Sequence, residues 1–336
     1  MKKQKILFSG LVILAVLIFS LTPVLIIFIE RNRIYYTGEL VILKDSDFSK
    51  HHFSGDGTEE SPFIIENLLI DTTKEYGIRI EDVTKNFIIR NCSFKISLLT
   101  FSWDFDFSKL IEISNSNLLN SIICNNSFEI YSHSIYIGSI SSIHLEYSSG
   151  IIIENNTFSR GIGIQIVSSD DIIISNNSFN GGYIGIELDY CSNTIIQKNL
   201  HHSSEIGVQI STTSFCTIND NEIYNCEIGI YVKEKSKNLE IFQNTLQSNS
   251  EYGIYLEKMS NYAEPTFVTY IRIYHNYFID NYNGSSFTQA YDANASFWYN
   301  NNLNEGNFWS DYVWIPGTVY NIDGGENFDP YPMEIP

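Results

Sequence analysis

Basic residues are scarce. The 336-residue chain has 20 Lys plus Arg against 39 Asp plus Glu, a formal net charge of −19, and no basic cluster follows its first few positions. A phosphate backbone is bound through a basic footprint, so nucleic acid is excluded as a partner. Cysteine is little used: Cys92, Cys124, Cys191, Cys216 and Cys226 show no C-x-x-C spacing, which leaves metal-cluster and redox motifs without support. Small thiols filling a core are the plainer reading. The three Met residues are scattered, and the seven His form no H-x-x-x-H. Copper favours clustered His, Cys or Met, so the adjacent His201 and His202, with Cys226 one repeat later at the place of Ser204, are only weak metal candidates. No cofactor is expected.

One long apolar run is present. From Ile6 to Ile29, 24 consecutive residues carry no charge, enough to cross a hydrocarbon core of roughly 30 Å at about 1.5 Å per residue. A cleaved signal peptide has a shorter apolar part, about 7–15 residues, so a membrane anchor is preferred. Lys2, Lys3 and Lys5 precede the run and Arg31 and Arg33 follow it, which places the N-terminus in the cytoplasm and the remainder outside. The expected organisation is a cytoplasmic tail (1–5), a transmembrane anchor (6–29), a linker with an N-terminal cap (30–53), repeats (54–300) and a C-terminal cap (301–336).

The repeats have a period near 22. Asn126, Asn156, Asn177, Asn199, Asn221, Asn244 and Asn276 share one column, and Gly163, Gly185, Gly207, Gly229 and Gly253 share another with spacings of 22, 22, 22 and 24. Each of these glycines opens a phrase such as "GIQI", "GIEL" or "GIYV"; weaker copies are "GIRI" (77–80), "LIEI" (110–113) and "SIYI" (134–137). Such periods mean a solenoid, in which a unit buries its apolar side only by stacking on a neighbour. A leucine-rich repeat competes, because "IIISNNSF" (172–179) fits its spacing. Period-2 β-branched residues fill the other half of each unit, where that fold needs a helix. The expectation is therefore an all-β chain, a parallel β-helix with inward columns about 4.8 Å apart. Asn in its column, and Gly in its own, are expected to supply left-handed corners, with the Asn amides stacking as well. Longer intervals point to loops at 97–109 and 257–270.

The ends of this region carry a resemblance. "SGDGTEESPFIIENLLID" (54–71) is similar to a G-x-G-T-x-x-x-P-[FY]-x-I opening, and "GNFWSDYVWIPGTVYNIDGGENFDPYP" (306–332) is similar to a G-N-[YF]-W-S-D-Y … I-D … D-x-Y-P close. Together with the repeats these resemble the NosD-like right-handed parallel β-helix proteins over about 54–332. The resemblance implies a right-handed β-helix exported across a membrane, and its namesake is described as a periplasmic copper-binding protein that helps mature nitrous oxide reductase. Here "VWIPGTVY" (313–320) replaces the acidic D-x-D-G-D-G run that often follows W-S-D-Y.

Outward residues of the second phrase form the column Arg79, Glu112, Tyr136, Gln165, Glu187, Gln209, Tyr231 and Tyr255. Alternation sends Glu187 and Asp189 out of one face with Gln165 and Gln209 on neighbouring coils, which makes the two acids the candidate catalytic pair. No Lys or Arg lies between Lys198 and Lys233, and the G-H-G, N-T-D and R-I-K signatures of polygalacturonase-like enzymes and the D-P-H-D of alginate epimerases are missing. Tyr231 and Tyr255, with Gln165 and Gln209, are the candidate ligand-binding residues, since aromatic faces suit sugar rings. Asn283 and Asn294 are the sequons independent of the repeat, hence the candidate glycosylation sites. The function expected is a membrane-anchored, non-catalytic binding or structural surface module, with a glycan or a surface protein as its candidate partner. A polysaccharide lyase, hydrolase or epimerase is the alternative, and a copper or other metal-handling accessory protein comes third.

Overall fold

The computed structural model describes residues 34–36, 39–71, 75–98, 108–132, 140–233, 235–258, 270–281 and 288–334. The apolar run 6–29, Tyr136, Asn283 and most of the two long loops lie outside the described residues. Among those described, no helix is long and apolar enough to cross a membrane.

Each coil consists of three strand stretches. In one coil Asp170–Ser175 forms the first, and Ser178–Asp189 supplies the second and third as one 12-residue strand bent at Gly181 and Gly182. First stretches stack into a nine-stranded sheet, and the other two share a nineteen-stranded sheet folded round a corner. Pairing along the rod is parallel and steps by one coil, as in Ile164↔Ile186↔Val208↔Ile230. Inward Ile, Leu, Val and Phe form a single apolar core. Each such side chain contributes about 1.5–3 kcal/mol on full burial.

A short helix, Asp45–Lys50, lies beside the first coils. Its buried Phe48 stacks on Phe63 with ring centroids 4.5 Å apart, so a plug of core composition covers the first coil. At the other end the antiparallel pair Tyr320–Asn321 and Phe328–Asp329 closes the rod over Trp309, which stacks on Phe278 at 4.1 Å and on Tyr320 at 3.9 Å.

The Asn column is a continuous buried ladder. Asn177 shows its rule: its backbone N–H and side-chain Nδ2 both donate to Asn199 Oδ1 (3.0 and 3.1 Å), and Nδ2 also donates to the Ile153 carbonyl of the coil before (2.9 Å). A corner interrupts the strand ladder and would orphan these buried backbone groups, and the amide satisfies them. Cys92 opens the series, its N–H donating to Asn126 Oδ1 (2.9 Å). Asn307 and Asp329 extend it beyond the repeats, Asp329 Oδ2 accepting from the Asn307 N–H (2.7 Å). With no further coil to receive a donated hydrogen, an acceptor-only carboxylate suits the last place. Burial pushes its carboxyl up to about 6 against the pull of its donors.

Two sequence expectations about the corners are corrected. The left-handed residue is the one before the ladder Asn: Asn125, Asn155, Asn176, Lys198, Asp220, Gln243 and His275 have φ near +55°, whereas the ladder residues do not. Nor does the Gly column have positive φ. Those glycines are required by space, since a Cβ on Gly163 would lie 2.6 Å from the Phe179 ring and 2.7 Å from the Gly185 carbonyl oxygen.

Candidate functional site

The outward column of the third stretch is the most ordered polar feature of the rod. Its register runs Arg79↔Glu112↔His144↔Gln165↔Glu187↔Gln209↔Tyr231↔Tyr255↔Tyr291. The sequence column is thus recovered with one correction: His144, in Ser141–Glu146, holds the place expected for Tyr136. "SIHL" (142–145) shares the alternation of "SIYI", and the longer interval before Asn156 hid which copy belongs to the coil. Tyr291 was missed because "AYD" (290–292) is too short to show a period.

These side chains bond to one another along the rod. Gln165 Oε1 accepts from Ser141 Oγ (2.8 Å) and lies 2.9 Å from His144 Nδ1. Gln165 Nε2 donates to Glu187 Oε2 (2.9 Å) and Gln209 Nε2 to Glu187 Oε1 (2.8 Å). Both oxygens of Glu187 are therefore held by the flanking amides. Burial raises its pKa, while Gln165 and the positive charge of Lys233 pull the other way. Burial likewise lowers the pKa of His144, with Lys109 adding to the effect. Further along, Glu112 takes Lys109 Nζ at 2.6 Å and Arg79 Nε at 3.6 Å.

Asp189 leaves the same face beside Glu187 as expected, and its Oδ1 is buried without a hydrogen-bond partner. Lys233 supplies the cation absent from the nearby sequence, its Nζ lying 4.8 Å from the Tyr231 ring centroid. Beyond it the column turns aromatic. Tyr231 and Tyr255 meet edge to face at 5.3 Å, and Tyr255 stacks on Tyr291 at 4.7 Å. Tyr231 also donates its hydroxyl to Glu257 (3.0 Å). Amides and carboxylates at one end and ring faces at the other can hold a hydroxyl-rich, extended ligand. Hydrolysis needs two carboxylates flanking one bond, and Glu187 of this pair already accepts one amide hydrogen bond on each oxygen.

The other candidates fare differently. His201 and His202 do not form a surface cluster: adjacent strand residues point oppositely, His201 is 0 % exposed in the core column, and His202 faces outward beside Asn180. Asn294 has its amide nitrogen donated to the Glu257 carbonyl (2.8 Å) and is half-buried, a poor geometry for an acceptor sequon. A cavity of about 930 Å³ is lined by Trp314, Ile315 and Thr318 together with the His275–Glu305 pair (2.6 Å). The segment that replaces the acidic run forms its wall.

Stacked three-stranded parallel coils with buried corner ladders define a parallel β-helix protein. The family described as periplasmic copper-binding protein (NosD) matches residues 108–313, more than half of the chain, and the chain belongs to that family. No curated protein matches it. Among solved structures, a mutant of the periplasmic alginate epimerase AlgG is similar at 16% identity and TM-score 0.45, covering 74% of this chain; this chain spans 64% of that one. A second AlgG structure gives 12%, TM-score 0.41, 79% of this chain and 84% of that one. The mannuronan C-5 epimerase AlgE6 A-module of Azotobacter vinelandii gives 14%, TM-score 0.35, 79% and 89%.

The family description raises copper, and the described donors do not fit it. Among the described residues no three His, Cys, Asp or Glu side chains converge to hold a metal. All five thiols are buried, and burial pushes Cys191 up to about 12 and Cys216 and Cys226 up to about 11, which opposes the thiolate form a metal needs.

Proposed function

We propose that this protein is a non-catalytic binding module outside the cytoplasm, anchored by residues 6–29, whose third face takes an extended glycan. The observation that carries it is the unbroken outward column from Arg79 to Tyr291, in which polar groups give way to three tyrosines at successive rungs. Rungs recur about every 4.8 Å, so a linear chain of sugars lying along the rod meets a new side chain at nearly every ring. The apolar run of 24 residues and the periplasmic description of the family support the location. A right-handed coil follows from the usual handedness of parallel crossovers.

Titration calorimetry of the full-length protein with soluble oligosaccharides tests this. Tyr255→Ala with Tyr291→Ala should weaken binding at least tenfold, about 1.4 kcal/mol; unchanged affinity would sink the assignment. The enzyme reading is favoured by one observation, the unpartnered oxygen of Asp189 beside Glu187. Product release from an acidic polysaccharide, lost in Asp189→Ala, would replace binding by catalysis.

A further inference from the structure

The corner between the third and first stretches is built differently from the other two. It carries two left-handed residues three apart in successive coils: Tyr147 and Gly150, Ser168 and Asp171, Tyr190 and Asn193, Thr212 and Phe215, Lys235 and Asn238. Left-handed backbone disfavours any residue with a Cβ other than Asn or Asp, and a bulky aromatic there is a genuine outlier. Among the described non-glycine residues with positive φ, the Tyr and Phe residues are Tyr147, Tyr190 and Phe215. All three fall on this corner, and they are 62 %, 61 % and 60 % exposed. Backbone strain combined with an exposed ring serves neither core nor corner. Strain of this kind concentrates where a side chain is held out for contact.

The row continues along the rod. Tyr147 and Tyr190 occupy the same column two coils apart, since the Tyr147 N–H donates to the Val167 carbonyl and the Ser168 N–H to that of Asp189. Their separation is about 9.6 Å by the interstrand spacing. Phe215 lies one coil on, across the width of the corner, and the exposed Tyr270 two coils beyond it. Phe215 and Tyr270 line a cleft of about 550 Å³ with Leu239, Glu240 and Arg272. Between the rings the corner offers hydroxyl and amide groups from Ser168, Ser192, Asn193 and Thr212, together with the exposed carboxylates of Asp170 and Asp171 in the coil between Tyr147 and Tyr190.

We infer that this corner is a docking ridge for the flat surface of a neutral, insoluble β-linked polysaccharide. Aromatic faces pack on the apolar faces of sugar rings, two rungs approximate a disaccharide length in such a chain, and the intervening hydroxyls match its polar rims. The net charge of −19 and the exposed Asp170 and Asp171 between the two tyrosines repel polyanions and anionic lipid, while Lys235, Lys237 and Arg272 lie toward the Tyr270 end of the row. The ridge is separate from the tyrosine column of the third face and does not depend on it.

Co-sedimentation of the full-length protein with microcrystalline cellulose and with chitin is the test. The wild type should leave the supernatant with at least one of them. The triple variant Tyr147→Asn, Tyr190→Asn, Phe215→Asn should lose that partitioning at least tenfold with an unchanged or higher melting temperature, because Asn accepts the left-handed backbone. Tyr190→Phe should keep it, and Tyr255→Ala with Tyr291→Ala should leave it unaltered, so the two surfaces fail separately. Retention by the triple variant, loss in Tyr190→Phe, no depletion by either polysaccharide, or ridge-dependent binding to phosphatidylglycerol vesicles instead would each overturn the inference.

Discussion

Replacing His201 by Phe should raise the stability of the protein and remove much of its sensitivity to acid. His201 sits in the inward aromatic column Phe94, Phe128, Phe158, Phe179, whose rings stack at 4.8–4.9 Å, and its own ring lies 4.4 Å from Phe179 and 7° from parallel. Neither ring nitrogen has a hydrogen-bond partner. An unmade hydrogen bond in a buried group costs about 1–3 kcal/mol, and Phe already fits four coils of this column. A gain of that size would raise the melting temperature by a few degrees in a domain of this length.

The pH dependence has a definite sign. Burial lowers the His201 pKa from 6.5 to about 3, so between those values the unfolded chain binds a proton that the folded chain refuses. Stability therefore falls as pH falls through that window, by about 1.4 kcal/mol per unit. The carboxylates titrate equally in wild type and variant and cancel in the comparison. Urea denaturation at pH 7.5 and 4.5 should show the wild type losing about 2–3 kcal/mol more than His201→Phe. Equal losses would mean that His201 finds a partner or water in solution.

Asn176 and Asn177 are adjacent and identical in type, and they should respond very differently to Ala. Asn177→Ala removes the acceptor of the Asn156 N–H (3.0 Å) and the donor to the Ile153 carbonyl (2.9 Å), all inside the core. Two orphaned backbone groups and a small void predict a loss of about 3–5 kcal/mol. Asn176 is exposed at φ +55°. Asn176→Ala meets only the left-handed penalty, about 1 kcal/mol, and Asn176→Gly should be nearly neutral. Denaturation midpoints of the three variants check this; similar losses for the two alanines would refute the division of roles. Because a solenoid is held by nearest-neighbour interfaces, hydrogen exchange in Asn177→Ala should rise first in the coils on either side.

These two sites also mark what was readable before the structure. The ladder was visible because every rung repeats its demand for an amide, so Asn recurs near 22 residues. The residue before it varies among Asn, Lys, Asp, Gln and His, and that variety hid the corner's real left-handed position. The glycines were legible as a column and misread as to cause, because steric crowding by Phe179 or His201 belongs to the neighbouring coil and leaves no local mark. His201 looked like half of a surface pair because its apolar surroundings come from residues 22 positions away. On the outward face, alternation sufficed to place Gln165, Glu187, Gln209, Tyr231 and Tyr255 together. It failed at His144, where an inserted loop broke the count, and it gave no sign that Glu187 is held by both flanking amides.

The ladder has one more property, which is electrical. From Asn126 to Asn276 each of seven side-chain amides donates from Nδ2 to the Oδ1 of the next coil, and Asn307 Nδ2 donates on to Asp329 Oδ2, so eight amide dipoles point the same way along the rod. Aligned dipoles sum to partial charges at the two ends, as in an α-helix. The positive end faces the last coil, and the residue waiting there is the carboxyl of Asp329. The closing segment therefore cancels an end charge as well as covering an edge, which gives the otherwise repetitive rod a head and a tail.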